Sequence, residues 1–217
     1  MRENFEVQLA NLNTAMVEMG SLCKDAIHYA TSYLADRDED RKSLVRDLVE
    51  QINHKEREIE DMCLKLIMTQ QPVAKDLRII TAALKMVSDL ERIGDNADDI
   101  IEIVSMDNTT KEDIDDVELG RMAQASSKML SDAIDAFVER DEDLARKVIE
   151  DDDIVDGLFD NTKKKLAQAF SKNAEKADTL LDLLMVSKYY ERIADHSVNV
   201  GQWVVFMETG KLEGNTN

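Results

Sequence analysis

Apolar side chains recur every three or four positions along almost the whole chain, the spacing that places them on one face of an α-helix. Short polar stretches interrupt this pattern, and the only proline, Pro72, follows one such interruption. The pattern predicts six long helices. They are expected from about residue 3 to 34, from the polar break at 36–40 to 69, from Pro72 to 104, from a linker at 107–110 to 137, from a turn at 140–141 to 170, and from 173 to 207.

Helix ends carry local signals. Pro72 is expected in the first turn of the third helix, where its missing N–H costs no hydrogen bond. Thr109 and Glu112 have the spacing of a capping box at the start of the fourth helix. Asn173 is a candidate cap for the sixth helix. These signals agree with the boundaries that the apolar pattern predicts.

Short sequence matches divide the chain into two similar halves. Residues 91–95 (ERIGD) return as residues 191–195 (ERIAD), and residues 37–40 (RDED) return as residues 140–143. Residues 25–27 (DAI) also return as residues 132–134, so three matches occur in the same order. The predicted fold is therefore all-α, with two tandem, pseudo-symmetric three-helix bundles. We expect the first repeat in residues 1–106, the second in residues 107–210 and a mobile tail in residues 211–217.

Composition supports helices over sheets. One proline, seven glycines and 5% aromatic residues leave few of the residues that strands and their turns favour. With 43% hydrophobic residues the chain can bury a substantial core. Cys23 and Cys63 lie among apolar positions at helical spacing, so we expect buried free thiols and no disulfide.

The chain is strongly acidic, with a formal net charge of −19. This charge argues against binding nucleic acid or an anionic membrane, because both would repel it. It suits cations or a basic patch on a partner protein, although on composition alone solubility is the simpler explanation. No signal sequence opens the chain and no apolar run approaches the length of a membrane span, so a cytoplasmic protein without membrane insertion is expected.

Paired carboxylates flank the core face of several helices. On the third helix the face of Leu90 and Ile93 is bordered by acids stacked at three- and four-residue spacing, which repel one another unless a cation or a basic side chain compensates. Each half has two acid-x-x-x-acid motifs on its second and third helices, and antiparallel packing would present four carboxylates to one site. These acids are Glu56, Glu60, Glu91 and Asp95 in the first half, with Asp98 and Glu102 beyond them, and Asp156, Asp160, Glu191 and Asp195 in the second half.

A single motif of this kind has little specificity. Among 46 acidic residues, roughly ten pairs at four-residue spacing arise by chance. The informative feature is recurrence beside the core in both halves; on the fifth helix the expected apolar row is Ile149, Ile154 and Phe159. A solvated acidic face with cross-helix salt bridges is one interpretation. A metal site is the other, and its oxygen ligands would suit iron, manganese, magnesium or calcium, with zinc also possible.

Other catalytic patterns are missing from the sequence. It contains no phosphate-binding glycine loop, no nucleophile elbow and no Cys–His arrangement with a supporting context. His28, His54 and His196 have no second histidine at ligand spacing and are expected to be surface or packing residues. A ferritin-like di-iron enzyme needs Glu-x-x-His on two helices, and that motif does not occur.

Several of these stretches together resemble the PhoU family. The resemblance rests on residues 70–78 (QQPVAKDLR), on residues 90–97 (LERIGDNA) and on residues 190–195 (YERIAD). It covers nearly the whole chain and includes the duplication. It implies two tandem three-helix bundles and a cytoplasmic protein that represses phosphate uptake and the phosphate-starvation response.

The resemblance also implies partners and ligands. Family members act beside the phosphate ABC transporter, with its ATPase subunit, and beside a sensor histidine kinase, and some carry iron or zinc clusters on the acid motifs. By position the ligands would be Glu56, Glu60, Glu91 and Asp95, then Asp156, Asp160, Glu191 and Asp195, with Asp98 as an extra ligand. Val198 stands where the first half has Asp98, so the second site is expected to be weaker or to hold fewer ions.

Three interpretations remain at this point. The first is a non-enzymatic regulator of phosphate transport that docks onto its partners, and we expect it to be a homodimer. The second is a carboxylate-bridged metal enzyme. The third is a helical adaptor that binds no metal.

Overall fold

The computed structural model describes residues 2–70, 72–105, 117–172 and 174–211. In these ranges the protein consists of six long helices and contains no strand. The helices are α1 (Arg2–Asp36), α2 (Glu39–Gln70), α3 (Ala74–Ser105), α4 (Leu119–Glu139), α5 (Glu142–Lys172) and α6 (Ala177–Thr209), with a short 3₁₀ helix at Ala174–Lys176 before α6. The all-α prediction is confirmed. The predicted linker at 107–110, the Thr109–Glu112 capping box and the Asn173 cap lie outside the described residues.

The repeated RDED sequence forms the same turn in both halves. Arg37 and Arg140 both adopt a left-handed backbone conformation, with φ of 55° and 57°. Each donates its backbone N–H to the carbonyl oxygen four residues earlier, which ends the preceding helix. The aspartate that follows accepts from the backbone of the next helix: Asp38 Oδ1 from Asp40 N at 3.0 Å, and Asp141 Oδ1 from Leu144 N at 3.0 Å. The sequence repeat therefore marks equivalent connections.

The start of α3 differs slightly from the prediction. Pro72 was expected in the first turn, but α3 begins at Ala74, two residues later. The backbone N–H of Leu77 donates to the carbonyl of Val73 at 2.9 Å, and Asp76 Oδ2 accepts from Val73 N at 3.3 Å. Since the Asp76 side chain satisfies the free N–H of Val73, Val73 takes the capping position and Pro72 precedes it.

The helices pack as two neighbouring bundles with a continuous core. α1, α2 and α3 contact one another, as do α4, α5 and α6, and the bundles meet where α3 packs on α6 and α1 packs on α4. The hydroxyls of Thr31 and Tyr190 share a 2.9 Å hydrogen bond across this seam, and Tyr190 is fully buried. The buried apolar residues of both bundles form one cluster, so the two tandem bundles share a packed interface.

Two further predictions concern the cysteines and membrane insertion. Cys23 and Cys63 are buried free thiols, as predicted. Burial raises the pKa of the Cys63 thiol to about 12, and Cys23 Sγ donates to the Leu90 carbonyl at 3.2 Å, so neither thiol is set up to react. Among the described residues, no helix combines the length and the apolar character needed to cross a membrane.

Candidate functional site

The first acidic cluster, which we define as Glu56, Glu60, Glu91 and Asp95, lies where α2 packs beside α3. The helix periodicity places these acids next to the fully buried Ile52, Ile59, Leu90 and Ile93. Burial raises the pKa of Glu56, and the charges of Glu60 and Asp95 raise it further. Burial also raises the pKa of Glu91, together with the charges of Asp95 and Glu56. The two motifs therefore approach one another, as the sequence predicts.

Asp98 extends this cluster along α3. Burial raises the pKa of its carboxyl, the charge of Glu102 adds to this effect, and Arg46 on α2 opposes it. Its Oδ1 atom is buried and has no hydrogen-bond partner among the described residues. A buried oxygen without a donor is an unfavourable arrangement that a bound cation would relieve.

The second acidic cluster, which we define as Asp152, Asp156, Glu191 and Asp195, lies between α5 and α6. Burial raises the pKa of Asp152 to about 6, and the charges of Asp156, Asp195 and Glu191 contribute in that order. Burial and Glu191 also raise the pKa of Asp195, whereas Lys188 lowers it. Lys188 forms an ion pair with Glu191. Like Asp98, Asp152 has a buried Oδ1 without a described hydrogen-bond partner.

Asp160 does not join this cluster, in contrast to the prediction that it approaches Glu191 and Asp195. Its carboxylate faces solvent and accepts from Lys163 Nζ at 2.7 Å, and this hydrogen bond lowers its pKa. Ile154, expected in the apolar row, is 56% exposed. The error at Asp160 comes from an incorrect alignment of α5 with α2.

The correct alignment offset for these two helices is 103. The buried positions 45, 52, 59 and 63 of α2 correspond to the buried positions 148, 155, 162 and 166 of α5. At this offset Phe159 and Lys163 replace Glu56 and Glu60, and the acids that face α6 are Asp152 and Asp156. The sequence contained a signal against Asp160, because the RDED repeat has an offset of 103, and at this offset Asp160 aligns with the exposed Arg57.

The donor atoms of both clusters are carboxylate oxygens, which suit hard cations such as manganese, magnesium or calcium and which also hold iron in helical carboxylate proteins. Four buried side-chain oxygens lack a hydrogen-bond partner among the described residues, and two of them, on Asp98 and Asp152, lie in or beside the clusters. Among the described residues, however, no three His, Cys, Asp or Glu side chains are already arranged to hold a metal ion. Metal binding would therefore need carboxylate side chains to rotate towards a common centre.

The histidines do not extend these clusters. His196, next to Asp195, has Nδ1 at 2.9 Å from Asp89 Oδ1, and Asn199 Nδ2 donates to the same oxygen at 3.0 Å. His196 therefore links α6 to α3 at the seam between the bundles. His28 packs edge-on against Tyr29, with ring centroids 5.4 Å apart. Both fit the predicted role of packing residues.

The chain is similar to known proteins over nearly its whole length. The sequence profile of the PhoU domain matches it twice, at residues 16–104 and 119–204. A Clostridium acetobutylicum protein, a phosphate-specific transport system accessory protein PhoU homolog, is 35% identical over 97% of this chain and 96% of its own. A homolog with the same description from Borreliella burgdorferi is 34% identical over 78% of each chain.

Solved structures agree with this match. The crystal structure of PhoU from Pseudomonas aeruginosa superposes with a TM-score of 0.87, at 29% identity, and covers 95% of this chain and all of that chain. The phosphate transport system regulatory protein PhoU from Streptococcus pneumoniae also gives a TM-score of 0.87, at 26% identity, covering 97% and 99%. The double profile match, the full-length relatives and the shared architecture all agree: this chain belongs to the PhoU family.

Proposed function

We propose that this protein is a cytoplasmic negative regulator of phosphate uptake and of the phosphate-starvation response. The observation that carries the proposal is similarity over almost the entire chain to proteins described as accessory to a phosphate-specific transport system. The structure from Streptococcus pneumoniae is described as a regulatory protein of such a system. The expected partners are the ATPase subunit of the phosphate ABC transporter and a sensor histidine kinase.

The proposed mode of action is docking without catalysis. A docked regulator changes its partner by binding one conformation more tightly than another. Long, packed helices offer broad surfaces for such recognition, and the acidic surface would steer encounter with a basic patch. Association should therefore weaken as salt is added, because salt screens exposed charges. A homodimer is the expected form of the free protein.

Deletion of the gene in its host tests the regulatory role. We expect phosphate-uptake genes to be derepressed in phosphate-rich medium, and a plasmid-borne wild-type copy should restore repression. Unchanged phosphate uptake and expression in a strain without a second copy would contradict the proposal. A pull-down from extracts of cells grown with and without phosphate would then identify the partner and show whether its binding depends on phosphate.

Metal binding by the two acidic clusters is a second part of the proposal. The first site would use Glu56, Glu60, Glu91, Asp95 and Asp98, and the second would use Asp152, Asp156, Glu191 and Asp195. Iron or zinc would neutralise the mutual repulsion of these carboxylates and tie neighbouring helices together. Asp152 takes the place predicted for Asp160, because it faces α6 whereas Asp160 pairs with Lys163.

Metal analysis of protein purified without added metal tests this part. The double variant Glu91→Gln, Asp95→Asn should contain less metal than the wild type, because it replaces two charged ligands of the first site. Asp160→Asn is the matched control and should leave the metal content unchanged. Wild-type protein that contains no metal and binds none on titration would instead favour a metal-free helical adaptor.

A further inference from the structure

The two repeats differ in charge at three equivalent positions in or beside the acidic clusters. In the first repeat these positions carry two negative charges and a hydroxyl group, on Glu56, Glu60 and Ser88. The offsets of 103 on α5 and 100 on α6 give their equivalents in the second repeat, which are Phe159, Lys163 and Lys188. The second repeat has thus replaced two carboxylates by an aromatic ring and an ammonium group, and has gained a second ammonium group on α6.

Lys188 lies against the second acidic cluster. Its ammonium group forms an ion pair with Glu191, three residues further along α6. The two side chains are 38% and 13% exposed, whereas both side chains of the Lys163–Asp160 pair are more than half exposed. Water screens a partly buried pair less than it screens a pair at the surface. Lys188 therefore neutralises part of the charge of the cluster, and Lys163 does not.

The charge of Lys188 also reaches a second member of the cluster. Burial and the charge of Glu191 raise the pKa of Asp195, and Lys188 opposes this rise more strongly than His196 does. The Nζ atom of Lys188 lies 5.4 Å from the centroid of the Phe159 ring on α5, a distance at which an aromatic face attracts an ammonium group. Contacts on both α5 and α6 thus keep this positive charge beside the carboxylates.

The first acidic cluster has no comparable partner. In the part of the chain that the structure describes, no ion pair joins a lysine or an arginine to its four carboxylates. Glu91 instead shares a hydrogen bond with Asp95 of the same cluster. Arg57 and Arg92 are exposed and act on this cluster through their charge alone. The charge of the first cluster is therefore available to a bound cation.

We propose that Lys188 is a built-in counter-ion of the second acidic cluster and lowers the affinity of that cluster for divalent cations. A cation that binds there must displace the ammonium group from Glu191 or share the carboxylate with it, and the two positive charges repel one another. The first cluster has no such competitor, so it should load at a lower metal concentration. The inference rests on the metal binding proposed above and specifies which cluster is filled first.

A second difference between the repeats must be separated from this one. Val198 stands where the first repeat has Asp98, so the second cluster also lacks one carboxylate. A missing ligand weakens cation binding whether or not Lys188 is charged. A competing ammonium group weakens binding only while it is present. Removal of the lysine charge therefore distinguishes the two explanations.

Titration of chelator-treated protein with Mn²⁺ tests the role of Lys188. Mn²⁺ favours carboxylate ligands, and electron paramagnetic resonance measures its free concentration. The double variant Glu91→Gln, Asp95→Asn disables the first site, so that the titration reads the second. In this background Lys188→Gln should tighten Mn²⁺ binding by about tenfold, because it removes a neighbouring positive charge and keeps the length of the side chain.

Two control variants in the same background separate charge from shape. Lys163→Gln removes an ammonium group near the same Phe159 ring, but Lys163 pairs with Asp160 outside the cluster. Its Mn²⁺ affinity should therefore stay close to that of the background protein. Lys188→Arg keeps the positive charge and should bind Mn²⁺ as weakly as the background protein does.

Stability without metal gives a readout that does not depend on any cation. In chelator-treated protein at pH 7, Lys188→Gln leaves the carboxylates of the second cluster without their counter-ion. We expect a lower urea midpoint for Lys188→Gln than for the wild type, and a smaller change for Lys163→Gln, whose pair is exposed.

The remaining outcomes decide against the proposal. Unchanged Mn²⁺ binding in Lys188→Gln, or an equal gain in Lys163→Gln, would overturn it. A gain in Val198→Asp without one in Lys188→Gln would assign the weaker site to the missing ligand. An unchanged urea midpoint in Lys188→Gln would show that the lysine is no counter-ion. Mn²⁺ binding by the first cluster of the wild type reads the proposed metal function independently, so a failure of that function and a failure of this inference remain distinguishable.

Discussion

Asp152 is the residue whose charge is most costly in the second acidic cluster. Burial and three neighbouring acids raise its pKa to about 6 in the folded protein. An aspartate in an unfolded chain has a pKa of about 3.9. Between these two values the folded state binds more protons than the unfolded state, so the contribution of Asp152 to stability falls as the pH rises from about 4 to 6. At neutral pH the charged carboxylate destabilises the metal-free fold.

Replacement of Asp152 by asparagine should therefore stabilise the metal-free protein at pH 7. The shift in pKa corresponds to a few kcal/mol, and solvent screening of this partly exposed group reduces the expected gain to about 1 kcal/mol. Urea denaturation in the presence of a chelator, repeated between pH 4 and 7, measures both the gain and the flatter pH dependence. Asp160→Asn is the control and should not flatten it. A loss of stability at pH 7 in Asp152→Asn would contradict this account.

The same two residues show how far the sequence could predict the site. The first acidic cluster was predicted because its acids flank a clear apolar row at both helices. The second was assigned incorrectly on α5, because the offset of 100 between α3 and α6 was applied to α5 as well. The offset changes from 103 on α5 to 100 on α6, so the segment that joins equivalent positions of these two helices is three residues shorter in the second repeat than in the first. At an offset of 100 Asp160 aligns with Glu60, whereas at the correct offset of 103 Lys163 does, and Asp160 lies on the solvent side of α5.

At the scale of the helices, small residues allow close packing. A Cβ atom at Gly94 would lie 2.8 Å from Ile52 Cδ1, the mobile end of a side chain on α2. A Cβ atom at Gly201 would lie 3.1 Å from the backbone carbonyl oxygen of Ala145 on α5. The first contact can be relieved by a change of rotamer, whereas the second requires two helix backbones to separate. The second repeat already has Ala194 at the position of Gly94.

These contacts predict that alanine is tolerated at position 94 but not at position 201. Gly94→Ala should change the free energy of unfolding little, because the gain in helix propensity, about 1 kcal/mol, offsets a small shift of Ile52. Gly201→Ala should destabilise the protein by about 1 to 2 kcal/mol, because overpacking against a backbone is costly. Thermal and urea unfolding of the two variants measure the difference. A larger loss in Gly94→Ala than in Gly201→Ala would show that the α2–α3 contact is the stiffer one.

Helix bounds were largely predictable, but the turn geometry was not. The six helices end close to the predicted positions wherever the structure describes them, because apolar periodicity reports helices reliably. A left-handed conformation at Arg37 could not be predicted, since arginine rarely adopts it. The Arg37 side chain makes two contacts in this conformation. The Arg37 side chain donates to the carbonyl of Val104 at the end of α3, and its guanidinium lies 5.8 Å from the Tyr33 ring centroid.

At the scale of the whole molecule, the seam between the bundles determines whether the two repeats fold independently. Tyr190 is fully buried and bonds Thr31 of the other repeat, and Asp89 receives hydrogen bonds or close contacts from His196 and Asn199. The apolar residues of both bundles belong to one continuous cluster. A repeat on its own would expose this surface to water, and that loss is comparable to the marginal stability of a small domain. The repeats should therefore fold together.

Urea unfolding should accordingly show one transition for the full chain. The only tryptophan, Trp203, lies in α6 and reports the second repeat, whereas far-ultraviolet circular dichroism reports the helices of both. The two signals should coincide, as two-state unfolding requires.

Residues 1–106 and 107–217 expressed separately should be unfolded or aggregate, and their co-expression should restore a soluble complex. Tyr190→Phe, which removes only the hydroxyl bonded to Thr31, is the control and should keep the single transition at a lower urea concentration. Separate transitions, or two halves that each fold alone, would mean that the seam joins independent domains.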